Sequence, residues 1–136
     1  MPNINLLGVA VAALAGMGIG ALWYGPLFGK QWSKLMGFTR ESMDKAKEQG
    51  MLKSYVLALV GQIVTAYALA VVVAFSAQYF GGFSYSLVFW VWFGFAIPLL
   101  LNSVLWEGRS WTLFALNAGH SLAQLIVMGT IIKYLI

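Results

Sequence analysis

Asn117, His120, Ser121 and Gln124 recur at i, i+3, i+4, i+7 spacing, so on a helix they share one face. His120 is the single histidine of the chain, and imidazole can donate or accept a hydrogen bond, carry a proton or bind a metal. Gln62, Thr65 and Asn102 offer further amide and hydroxyl groups on other segments, and Glu107 is the one carboxylate outside the region from Glu41 to Glu48. This set can capture a small polar or cationic species by hydrogen bonding along Gln62, Thr65, Asn102, Asn117, His120 and Gln124, with Glu107 at the mouth. It is a poor set for catalysis. No cysteine or second histidine is available for a metal site, and with the other carboxylates clustered in one basic segment neither a triad nor a two-carboxylate mechanism can be assembled inside the membrane. The sequence therefore predicts no enzyme, no metal and no cofactor.

The elements that position these groups follow from where charge is missing. No formally charged side chain occurs from Ser54 to Trp106, from Ile4 to Gly29, or from Ser110 to Ile132. A helix crossing ~30 Å of hydrocarbon needs ~20 such residues, and the long run holds two spans joined by a turn at Gly81-Gly82. The expected spans are residues 4–28, 54–77, 85–106 and 111–134, with an amphipathic loop over 29–53, all within one transmembrane domain, 1–136. Backbone groups in lipid must bond internally, so short connections favour an all-α, up-down antiparallel four-helix bundle in the membrane. A composition of 61% hydrophobic and 9% charged residues agrees, as do six Trp and six Tyr gathered largely near span ends. The first apolar run is expected to be a retained span, since no basic residues precede it and it exceeds the ~7–15 residues of a signal peptide.

Of the eight Lys and Arg, all but Lys133 lie on one side of this arrangement. Lys30, Lys34, Arg40, Lys45, Lys47 and Lys53 occupy the loop, and Arg109 the turn between the third and fourth spans. The positive-inside bias puts that loop in the cytoplasm and both termini outside, in the inner membrane of a cell. The net charge of +4 thus points to anionic lipid headgroups and not to nucleic acid. Within the loop, Thr39 can cap a short helix, Glu41 and Asp44 suit its first turn, and Gly50 can close it.

Two further patterns bear on packing. Gly8, Ala12, Gly16 and Gly20 repeat every four residues along the first span, a stripe that lets another helix approach closely, from this chain, a second copy or another membrane protein. Pro98 deletes a backbone bond inside the third span and is expected to kink it. A weak echo also exists between Leu22-Trp23-Tyr24-Gly25 and Leu105-Trp106-Glu107-Gly108, and between Gly61-Gln62 and Gly119-His120. It suggests a duplicated two-helix hairpin, in which Gln62 would pair with His120.

The string Leu22-Trp23-Tyr24-Gly25-Pro26-Leu27-Phe28-Gly29-Lys30, with Trp32, resembles the hallmark of domain-of-unknown-function family 1761, small bacterial membrane proteins. Trp106, Gly108, Arg109-Ser110-Trp111, Leu113-Phe114, Asn117-Ala118-Gly119 and Met128-Gly129 are similar too. The resemblance covers nearly the whole chain and implies a four-helix membrane fold with no assigned activity. His120 stands where the family pattern has Tyr.

Two functional readings remain open at this level. In the first, the polar stripe serves a transporter, channel or small-ligand-binding module. In the second, the protein is a structural or accessory subunit, a homo-oligomer or the partner of another membrane protein, and its polar and small residues are helix glue.

Overall fold

Uncharged runs that cannot hydrogen-bond to solvent must close their backbone bonds within the segment, and the computed structural model, which describes residues 2–135, shows them as helices. Met1 and Ile136, the ends that the orientation expectation places outside, lie outside the described residues. In chain order the elements are α1 (Leu6–Leu22), a π-helical turn at Trp23–Leu27, α2 (Gly29–Met36), α3 (Arg40–Gln49), α4 (Leu52–Phe80), α5 (Tyr85–Val91), a second π-helical turn at Trp92–Ala96, α6 (Ile97–Leu105) and α7 (Trp111–Leu135). Four continuous stretches are long and apolar enough to cross a membrane: Leu6–Leu27, Leu52–Phe80, Tyr85–Leu105 and Trp111–Leu135.

Local chemistry fixes the ends. The Asn5 side chain accepts from the Leu7 and Gly8 amides and caps α1. Its amide also donates to the Leu135 carbonyl, tying the start of the first span to the end of the last. Thr39 and Ser42 form a reciprocal capping box at the start of α3. The turn after α4 uses two successive glycines at φ 81° and 142°, conformations that side chains rarely adopt, and the Ser76 hydroxyl donates to the Gly82 carbonyl to hold it.

The four spans do not form a square. α1 packs on both α4 and α7, and α4 also meets α7, so these three make a tight core. The third span docks on α7. Its apolar window is 6% buried, against 28% for the first and last spans, so most of its surface faces outward. The closest packing uses small side chains: Ala12, Ala13, Ala66 and Ala70 are buried with Val9, Leu69, Val73, Met128 and Ile132. The glycine stripe meets helices of its own chain. A Cβ on Gly8 would lie 3.3 Å from the Leu135 Cβ, and one on Gly16 would overlap the Gln62 side-chain oxygen.

Both prolines within spans sit at π-turns. Pro26 lies inside the first, where the Phe28 amide reaches back to the Trp23 carbonyl at 2.9 Å. Pro98 opens α6 directly after the second, where the Ile97 amide bonds the Trp92 carbonyl. A proline cannot donate to the preceding turn, and a local i→i+5 widening is one way a helix absorbs that loss. Gly29 is required by the first widening, because a Cβ there would lie 2.8 Å from the Tyr24 carbonyl oxygen.

Candidate functional site

Each π-turn swings a tryptophan onto α7. The Trp23 indole N–H donates to the Leu116 carbonyl at 3.0 Å. The Trp92 indole N–H donates to the Ala118 carbonyl at 2.9 Å and lies 3.1 Å from the Ser121 hydroxyl. Ser121 itself donates to Ala118, so the Leu116 and Ala118 carbonyls, within one turn of α7, both carry extra donors. Gly119 follows Ala118 and must be glycine-sized, since a Cβ would stand 2.9 Å from the Trp23 ring. π-turns inside helices recur at functional sites, and here they clamp the segment that carries the histidine.

From that clamp a polar seam runs up the α1–α4–α7 junction. The Tyr24 hydroxyl donates to the Asn117 side-chain oxygen at 2.5 Å. The His120 ring packs on Tyr24 with centroids 4.9 Å apart and on Trp23 at 6.3 Å. His120 Nε2 points at the α1 stripe, 3.6 Å from where a Cβ of Gly20 would be. Further along the seam the Gln62 amide donates to the Gln124 side-chain oxygen at 3.3 Å, opposite Gly16 and beside Met128.

Two atoms of this seam, Gln62 Oε1 and His120 Nε2, are buried and have no hydrogen-bond partner. They are the sole such side-chain atoms among the described residues. Leaving a buried polar atom unpaired costs about 1–3 kcal/mol, and such atoms in folded proteins ask for an explanation.

The sequence-derived set divides accordingly. Gln62, Asn117, His120 and Gln124 come together around the glycine face of α1, whereas Ser121 turns to Trp92 on the other flank of α7. Thr65 is half-buried on α4. Asn102 and Glu107 are exposed, and neither joins the seam. Lys30, Lys34, Arg40, Lys45, Lys47 and Lys53 are all exposed around α2 and α3. Gly61, the counterpart of Gly119 in the weak echo, has open space above it, and Trp106, the counterpart of Trp23, is 81% exposed. The tryptophan that matches Trp23 in role is Trp92. Both begin a Trp-aromatic-Gly π-turn, Trp23-Tyr24-Gly25 and Trp92-Phe93-Gly94.

Tyr24 was absent from the expected site, although a signal existed. The spacing of Gly8, Ala12, Gly16 and Gly20 lands next on Tyr24, the same face one turn on. No group of three or more His, Cys, Asp or Glu side chains gathers among the described residues.

Fold and seam together define an integral membrane four-helix protein, three helices tightly packed and the fourth docked through α7, with a hydrogen-bonding seam in its interior. The chain belongs to the family described as protein of unknown function (DUF1761), which matches residues 7–133. No curated protein and no solved structure matches it significantly.

Proposed function

We propose that this protein is a membrane-embedded binding module for a small, uncharged solute that both donates and accepts hydrogen bonds, the capture step of a carrier or channel. The observation that carries this reading is the pair of buried, unpartnered atoms, Gln62 Oε1 and His120 Nε2, set along the glycine face of α1. An amide oxygen accepts, and a neutral imidazole nitrogen donates or accepts according to tautomer, so the pair suits a solute with both capacities. The solute is uncharged because no charged side chain reaches the seam: Glu41, Asp44 and Glu48 belong to α3, and Glu107 and every Lys and Arg are exposed. It is small because Gly16 and Gly20 pack closely against the two atoms and Trp23, Tyr24 and Met128 border them. The seam holds no paired acid and base, and the reading contains no catalytic step.

The basic loop is taken as the cytoplasmic side, on anionic headgroups of the inner membrane, with both termini outside. A tag fused after Ile136 and accessible only from the cytoplasm would overturn that orientation. A homo-oligomer, or association with another membrane protein through the outward face of the third span, fits the same picture.

The second reading, helix glue, is favoured by the bonds that the seam does complete, Tyr24 to Asn117 and Gln62 to Gln124. Native mass spectrometry of protein released from nanodiscs separates the two, run beside His120→Ala and Gln62→Leu with thermal melts of each. The binding reading expects a discrete non-lipid adduct, lost in both variants while their melting temperatures stay close to the parent. Bare protein in every sample, with both variants melting several degrees lower, would leave glue as the function of the seam.

A further inference from the structure

Outside the membrane-spanning bundle, α2, α3 and the residues flanking α3 on either side enclose a half-open groove of about 390 Å³. Its walls are Trp32, Phe38, Met43, Ala46 and Met51, with Ser42 and Lys47 as the polar and charged residues of the lining, and almost all of its surface is apolar. Phe38, Met43 and Met51 are 41%, 41% and 38% exposed, so this chain does not cover its own groove. The geometry is held from behind, where Trp32 meets Phe38 edge-on at 5.3 Å and packs on Tyr24 at 5.1 Å.

Charge is sorted between the two sides of α3. Glu41, Asp44 and Glu48 lie with Arg40 and Lys45 along the opposite side of the helix, away from the groove. Every acid of the loop is thus turned from an apolar trough whose one charge is a lysine. We propose that this groove binds a single-chain anionic amphiphile of the fatty-acid class, its carboxylate on Lys47 and its chain along Trp32, Phe38, Met43 and Met51. The volume sets one chain and not two. A water takes roughly 30 Å³ in the liquid, and at a similar share per methylene the groove holds on the order of a dozen. That size is also within the ~300–1,000 Å³ of small-molecule pockets. The site is separate from the seam and goes beyond the solute-binding reading, although the ring contacts Trp32 to Tyr24 to His120 join the two.

Photolabelling of the full chain in phosphatidylcholine nanodiscs with a diazirine analogue of palmitate tests this. The label is expected on peptides containing Phe38 or Met43 to Met51, suppressed at least tenfold by unlabelled palmitate. Ala46→Trp, which fills the trough, should abolish it, and Lys47→Gln should weaken it severalfold while leaving labelling by the methyl ester unchanged. Both substitutions sit on exposed positions of α3, and circular dichroism of each variant checks that the helix persists. His120→Leu should leave the labelling intact, so failure of the seam proposal would not imitate failure of this one. Label spread over the spans and indifferent to competitor and to Ala46→Trp would overturn the site. Equal labelling by a phosphatidylcholine probe that palmitate does not displace would also overturn it, showing that the trough lies on the bilayer.

Discussion

The two ends of the α1–α7 interface are built on opposite principles. Away from the loop, Val9, Ala12 and Ala13 meet Met128 and Ile132 with Ala66, Leu69, Ala70 and Val73 of α4, and every buried side chain is apolar. Toward the loop the same two helices meet through Gly16, Gly20, Trp23 and Tyr24 against Leu116, Asn117, His120 and Gln124, where hydrogen bonds cross and two polar atoms stay unpaired. Lipid gives helices no hydrophobic reason to associate, so the first end holds by close van der Waals fit of small residues. The second gives up part of that fit for polar groups. One half is held by fit alone, and the other accommodates two unpaired polar atoms within the same bundle.

Four substitutions and one control test this contrast. Ala12→Leu should have the largest effect, because Ala12 is fully buried and overpacking there costs about 3 kcal/mol. Its mark is a large drop in the melting temperature of detergent-solubilised protein together with loss of any solute adduct. A melt unchanged by this substitution would deny that the apolar end secures the bundle. Gly119→Ala comes next, at about 1–2 kcal/mol, since its Cβ must displace the Trp23 ring. Tryptophan fluorescence should report a changed Trp23 environment, and Gly61→Ala, with open space above it, should be silent by the same readout.

Tyr24→Phe removes the hydroxyl bonded to Asn117 and is expected to cost only ~0.6 kcal/mol, the average for interhelical bonds in membranes. A loss near that of Ala12→Leu would mean that the polar end holds the bundle as strongly as the apolar one. Gln62→Leu should be the smallest, within ~0.5 kcal/mol of the parent, because it loses one long bond and also removes an unpaired acceptor. Denaturation of that variant sharpens the comparison most: a clear destabilisation favours glue, and near-neutral stability with loss of the adduct favours a site.

Much of this was legible in the residues. The missing charges from Ser54 to Trp106 located two spans and their Gly81-Gly82 turn, although α4 begins at Leu52 and continues to Phe80, beyond the expected 54–77. Helical spacing placed Asn117, His120 and Gln124 on one face, and depth along the spans matched Gln62 to them. What spacing could not supply is which helix each face meets. Asn102 and Glu107 share the polar chemistry of the seam yet face outward, because the third span docks on α7 and not into a closed square. The π-turns were equally hidden. Pro98 signalled a disturbed helix, but that the widening would seat Trp92 on the Ala118 carbonyl depends on α7 being there to receive it.

The sequence by itself determined the solvent, the number of spans and the chemistry available, because a membrane demands long uncharged runs and self-satisfied helices whatever the tertiary arrangement. Tertiary structure alone decided which polar atoms find partners. That depends on close approach between helices far apart in the chain, where a missing Cβ at Gly16 or Gly20 and one widened turn at Trp23 set which atoms can meet.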